Sequence, residues 1–192
     1  MTAVIGWDIG GAHLKAARAE GGRVVEAVQV AAPLRLGLAR LKQSFAEARA
    51  RLGRADRHAI TMTGELADTF ESRAEGVKTL TDAAVRELAP SDVTVYAGRG
   101  GFVPPAAVGS HVADIASANW HATASLVGAL HGSALFMDMG STTTDIIPVV
   151  GGAVATSGYT DGERLASGEL IYTGLVRSFL MTMGARAPFD GR

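Results

Sequence analysis

Asp8-Ile9-Gly10-Gly11-Ala12-His13-Leu14-Lys15 is the stretch that decides how this chain is read. An apolar run, Ala3–Trp7, leads into an aspartate, two glycines turn the chain, and a second strand-like run leaves. The same grammar returns far downstream as Asp138-Met139-Gly140-Ser141-Thr142-Thr143-Thr144-Asp145, entered from Ala134–Met137. Glycine, with no Cβ, lets backbone come close to phosphate oxygens. Turn N–H groups form anion-binding concavities, and Mg²⁺ takes one or two protein carboxylates besides phosphate oxygens and water. Two such hairpins facing one another would clamp a Mg-bound phosphate compound. Gly10, Gly11, Ala12, His13 and Lys15 would line the first loop, and Gly140, Ser141, Thr142, Thr143 and Thr144 the second. Asp8 and Asp138 are the metal-side carboxylates. Asp145, on the outgoing strand, either orients a metal-bound water or anchors the turn.

Outward from these loops, Val4–Trp7, His13–Ala19 and Arg23–Val30 read as consecutive strands, turned at Gly10-Gly11 and at Glu20-Gly21-Gly22. Apolar residues at 38, 41, 45, 48 and 52 predict a helix over Leu36–Leu52. His58–Thr63 reads as a strand ending at Gly64, and Glu65–Phe70 as the start of a helix. Thr81–Leu88 reads as a helix capped near Thr81 or Asp82 and closed by Pro90, followed by a strand at Val93–Ala97. Gly98–Pro105 reads as a loop, and the small-residue run Val108–His131 as two buried helices broken near Asn119. Ala134–Met139, Thr143–Val150 and Ala153–Ser157 repeat the meander, turned by Gly140-Ser141 and Gly151-Gly152, and a helical tail follows. The expectation is an α/β protein: a first domain, 1–132, on a mixed five-stranded sheet, and a second, 133–192, that opens as a copy of the first and is incomplete.

Bulk composition narrows the function classes. With 47% hydrophobic residues the chain can bury a core, and a formal net charge of −1 gives it no polybasic surface for nucleic acid or membrane. The absence of cysteine excludes disulfides, thiolate zinc sites and a cysteine nucleophile. No apolar run approaches the roughly 20 residues that cross a bilayer, so a cytoplasmic protein is expected.

The order βββαβαβα followed by βββ resembles the actin, hexokinase and Hsp70-chaperone superfamily, whose lobes are ribonuclease H-like. Within it the chain is similar to the hydantoinase/oxoprolinase-like proteins, and among these to the branch that forms the ether bond of methanofuran-type one-carbon carriers. The resemblance is carried by the segments Ile5–Lys15, Thr61–Leu66, Ala118–Ala122, Phe136–Asp145 and Gly168–Gly174. It implies a transferase that condenses a furanylmethyl diphosphate with the phenol of a γ-glutamyl-tyramine, with diphosphate as leaving group and no ATP; the paired loops would add Mg²⁺ as cofactor. It also implies two full lobes, so either a longer product exists or a homo-oligomer or partner chain completes the second.

For such a reaction, Lys15 and backbone donors would meet the charge growing on the leaving oxygens. Candidates for the base that takes the phenolic proton are His121, Glu65 and His13, in that order. Asn119 and Trp120 precede His121 at the helix break, where aromatic and polar groups could meet a flat substrate. Each also has an ordinary reading: Lys15 as a solvated strand lysine, His121 as a buried structural histidine, and Glu65 as a first-turn helix carboxylate. Trp7 reads as core packing. Two further functional classes stay open, an ATP-dependent small-molecule kinase or oxoprolinase-like amide hydrolase of the same fold, and a non-catalytic nucleotide-binding subunit.

Overall fold

The structure is a computed structural model that describes residues 3–178. The chain divides into two compact units, Met1–Ala122 and Thr123–Arg192. The division falls inside a helix, whereas the sequence places it at that helix's end, after residue 132. The part of the expected tail from 179 to 192 lies outside the described residues.

The first unit opens with an antiparallel meander of β1 (Ala3–Ile9), β2 (His13–Glu20) and β3 (Arg23–Ala31). Alternation along these strands sends Ile5, Trp7, Ile9, Leu14, Ala16, Val28 and Val30 to one face, where all are buried. Helix α1 (Leu38–Leu52) lays Leu41, Phe45, Ala48 and Leu52 on that face, at the expected helical spacing. Each large buried side chain contributes about 1.5–3 kcal/mol. The Trp7 and Phe45 rings sit 5.0 Å apart, and Trp7 Nε1–H donates to His58 Nδ1 at 3.1 Å, so Trp7 is a core residue. Strand β4 (Arg57–Met62) then pairs parallel with β1, helix α2 (Arg73–Leu88) returns over the same face, and β5 (Asp92–Tyr96) pairs parallel with β4.

The sheet runs β3-β2-β1-β4-β5-β6 and so has six strands, one more than expected. The added strand, β6 (Phe102–Val103), lies in the glycine-rich segment read as loop; it is two residues long and pairs with Tyr96 and Val95. Helix α2 begins at Arg73, eight residues before the expected cap. Ser72 accepts there from the Glu75 N–H at 3.2 Å. Glu65 does not start a helix: Gly64–Leu66 is a single 3₁₀ turn. The short helix α3 (Val112–Ile115) and α4 (Asn119–His131) bear out the break near Asn119, and Ser117 within it holds a left-handed φ of 56°.

In the second unit, β7 (Ala134–Met139), β8 (Thr144–Val150), β9 (Ala153–Val154) and, after α5 (Asp161–Ser167), β10 (Leu170–Ile171) form a four-stranded sheet. Thr160 and Glu163 build a reciprocal capping box at the start of α5. A Cβ on Gly128 would meet the Gly152 carbonyl oxygen at 2.5 Å, so the second glycine turn packs directly on α4.

Gly76 in α2 explains the hidden helix start. A Cβ there would lie 2.9 Å from both Cα and O of Glu65. Glycine in a helix interior ordinarily costs about 1 kcal/mol relative to alanine, so by propensity alone Gly76→Ala would stabilise. We expect the opposite sign, a loss of about 1–3 kcal/mol from overpacking against backbone, read as a lower urea midpoint. A raised midpoint would mean that the helix does not depend on this approach.

Candidate functional site

The first loop is closed by the Gly10 N–H, which donates to the His13 carbonyl at 3.0 Å. This turn places Asp8 directly across from Lys15 in the ladder, and Lys15 Nζ donates to Asp8 Oδ2 at 3.1 Å. The other carboxylate oxygen, Asp8 Oδ1, is buried and has no hydrogen-bond partner among the described residues. Across β4, in parallel register with Asp8, the buried Thr61 Oγ1 is also without a partner. Gly11, Ala12 and His13 are exposed at the tip of the turn.

The second hairpin repeats this geometry. The Gly140 N–H donates to the Thr143 carbonyl at 2.8 Å, and Asp138 lies across from Asp145 as Asp8 does from Lys15. Here the charges differ. Asp145 Oδ1 accepts from Arg164 Nη2 at 2.7 Å, and Arg164 is almost wholly buried. Burial, joined by the neighbouring Asp138 and Asp161, raises the Asp145 carboxyl above its ordinary range against the pull of Arg164. Asp145 is thus tied through Arg164 to helix α5. Ser141, Thr142 and Thr143 are exposed or half-buried around the turn, and Thr144 Oγ1 donates to the Thr173 carbonyl at 2.6 Å. The Leu175 and Arg177 N–H groups donate to the Gly140 and Ser141 carbonyls, and a Cβ on Gly174 would fall 2.5 Å from Thr142 N. Only glycine fits that close approach.

Of the base candidates, His13 is exposed on the first turn, while Glu65 and His121 are buried with different partners. Glu65 is buried beside the α3–α4 break, where Ser117 Oγ donates to its Oε1 at 2.8 Å and Oε2 has no partner among the described residues. Burial, partly offset by the Ser117 hydrogen bond, raises its carboxyl above the ordinary value. His121 is buried in the first turn of α4, and its Nδ1 lies 2.7 Å from the Tyr96 hydroxyl. Burial first, then the positive charge of Arg99, holds this imidazole below its usual value and hence neutral. Trp120 packs edge-on against the His121 ring at 5.3 Å, and Asn119 Oδ1 accepts from the Trp120 N–H at 2.8 Å. Asn119 thus secures the helix start. Tyr96 and Arg164 carry as much of this arrangement as any expected residue. Their sequence neighbourhoods, a strand end and a short amphipathic helix, gave no signal of it.

The buried Glu65 carboxyl, held at one oxygen only, has a testable consequence. Its unfolded carboxyl titrates near 4.5 and its folded one higher. Its contribution to stability is therefore complete below the unfolded value and is lost as pH rises through the folded value. Glu65→Gln should gain on wild type in urea midpoint between about pH 4 and pH 7. Midpoints that run parallel at every pH would show that the carboxyl is not perturbed in the fold.

The hydantoinase/oxoprolinase family model matches residues 56–178. The chain is 34% identical over 135 residues to the (4-{4-[2-(gamma-L-glutamylamino)ethyl]phenoxymethyl}furan-2-yl)methanamine synthase of Methanocaldococcus jannaschii, across 70% of this chain and 40% of that protein. It is 49% identical over 55 residues to the synthase of the same name from Methanococcus vannielii, across 29% of this chain and 24% of that protein. The chain thus matches less than half the length of these curated relatives. Among solved structures, it is similar to the ROK hexokinase of Thermus thermophilus, with 19% identity, a TM-score of 0.44, and coverage of 85% of this chain and 51% of that one. It is also similar to an exopolyphosphatase from Cytophaga hutchinsonii, with 13% identity, a TM-score of 0.48, and coverage of 87% and 53%. The strand order β3-β2-β1-β4-β5, with α1 and α2 on the crossovers, is the ribonuclease H-like topology of the actin and hexokinase superfamily. Within that superfamily, this chain belongs to the hydantoinase/oxoprolinase family.

Proposed function

We propose that this protein is a transferase that joins a furanylmethyl group to the phenol of a tyramine derivative, releasing diphosphate, in the biosynthesis of a methanofuran-type one-carbon carrier. The product named for the Methanocaldococcus relative contains a phenoxymethyl-furan linkage, which is the ether such a reaction forms. The observation that carries the reading is Asp8. One of its oxygens is bound by Lys15, while the other is buried without a partner at the foot of a glycine turn. An orphaned buried carboxylate oxygen costs free energy unless something meets it, and a cation fits that need. Asp8 through Oδ1, with Asp138 at the matched position of the second hairpin, would hold Mg²⁺, which when bound supplies positive charge to the leaving diphosphate. Lys15 then hydrogen-bonds a diphosphate oxygen, and the exposed N–H groups and hydroxyls of both turns bind the remaining oxygens. As the carbon–oxygen bond to diphosphate breaks, the furan spreads the positive charge and the phenol oxygen attacks. A cytoplasmic enzyme that acts as a homo-oligomer or with a partner chain belongs to this reading.

The half-exposed Lys15–Asp8 pair is worth at most about 1 kcal/mol to stability, so Asp8→Asn should leave the fold intact. We expect that variant to release diphosphate at least about a hundredfold more slowly and to lose its dependence on added Mg²⁺. Wild-type turnover in Asp8→Asn would end the reading. Calorimetric titration with Mg-diphosphate and Mg-ATP adds a second check: tight preference for ATP would favour the kinase or amide-hydrolase class instead.

A further inference from the structure

The register of the first sheet aligns one row of side chains across its second face, opposite α1 and α2. Asp8 pairs with Lys15 on β2 and with Thr61 on β4, and Lys15 pairs with Gln29 on β3. The β4–β5 register brings Tyr96 beside Thr61, and Tyr96 pairs with Phe102 on β6. The row behind is Ala27, Ala17, Gly6 and Ala59, again in register. A row of functional side chains therefore stands over a floor nearly without side chains. Together they line one groove of about 600 Å³, within the range of small-molecule sites.

The two ends of the groove differ in chemistry. Lys15 and Asp8 give one end its charge. At the other, Phe102 is 60% exposed and its ring meets Tyr96 edge-on at 5.2 Å. Tyr96 and Asp8 stand on strands two apart, a separation of about 10 Å, which leaves room for a diphosphate ester and the nucleophile that attacks it. The Tyr96 oxygen lies 2.7 Å from His121 Nδ1. With the imidazole neutral, the hydroxyl donates to Nδ1 and its oxygen lone pair accepts from a ligand.

We propose that Tyr96, relayed to His121, is the catalytic residue that takes the proton of the acceptor phenol, and that Phe102 and the small-residue floor seat the acceptor's ring. This inference rests on the ether-forming reading above. In balance, the furanylmethyl carbon–oxygen bond breaks with its electron pair going to diphosphate, and the phenol oxygen bonds to that carbon. The phenolic proton passes to the Tyr96 oxygen as the Tyr96 proton passes to His121 Nδ1, which leaves an imidazolium. His121 acts through Tyr96, which makes it a positioning and relay residue.

The test uses an acceptor series, from tyramine to ring-fluorinated tyramines that are already phenolate at the assay pH. With tyramine, Tyr96→Phe should lower kcat about a hundredfold and leave KM for the diphosphate donor unchanged. With the ionised phenols the deficit should shrink to within about threefold, because no proton remains to be taken. His121→Gln should show the same loss and the same rescue, and it carries the test should Tyr96→Phe fail to fold. Wild-type kcat in both variants, or a deficit equal for neutral and ionised acceptors, overturns the proposal while the ether-forming reading stands. Failure of the wild type to form ether with any acceptor overturns both.

Discussion

The hydrogen bond from the Gly10 N–H to the His13 carbonyl fixes the register on which the first unit depends. Strand side chains alternate with a period of two, so a slip of one residue would exchange the faces of the whole strand. Ile5, Trp7 and Ile9 would leave the core and Asp8 would enter it. The turn is also pinned from outside. The Ala32 N–H donates to the Ala12 carbonyl, the Leu34 N–H to Gly11, and the Thr63 N–H to Ile9. A Cβ at Gly64 would lie 2.7 Å from Leu34 Cδ1 and 3.0 Å from the Ile9 carbonyl oxygen. Glycine at 64 therefore serves the closure of this turn, and a Cβ at Gly10 would also be tight, 3.0 Å from the His13 carbonyl oxygen.

From that register follows an unequal division of labour between the faces of the sheet. One face carries the large apolar side chains against α1 and α2 and supplies most of the folding free energy. The other carries glycine and alanine in one row and Lys15, Asp8, Thr61 and Tyr96 in the next. Asp8 Oδ1 and Thr61 Oγ1 are buried on this second face without partners among the described residues, so it bears a cost that the packed face does not. The same alternation that builds the core thus presents the chemistry.

How much of this was legible in sequence follows from the range of each interaction. Both hairpins were visible because aspartate, glycine turn and alternating strands lie within a few residues of one another, and the Leu41–Phe45–Ala48 stripe declared α1. The start of α2 was not, because Gly76 reads locally as a breaker and its purpose, to clear the Glu65 backbone, lies on another element. Strand β6 was hidden by its two-residue length among glycines. His121 could be singled out by its setting, but Tyr96 gains meaning only from the pairing across the fold. Arg164 likewise answers a carboxylate 19 residues away that pattern alone assigned to a metal or a turn.

The second hairpin separates what the turn dictates from what its charges dictate. Its backbone repeats the first, yet the position of Lys15 is taken by Asp145, which sets two carboxylates opposite one another in the ladder. Like charges so placed are destabilising, and burial disfavours the ionised form further. The resolution is Arg164, brought behind the sheet by a capped helix and bound to Asp145 at 2.7 Å. Asp145 is drawn inward and Asp138 is left exposed with the hydroxyls of the turn. In the first hairpin the cation, Lys15, stands on the strand opposite Asp8; in the second the cation, Arg164, comes from helix α5. One backbone turn thus yields a loop with a lysine beside its aspartate and a loop with hydroxyls and an exposed carboxylate, so the two are alike in backbone and unlike in charge.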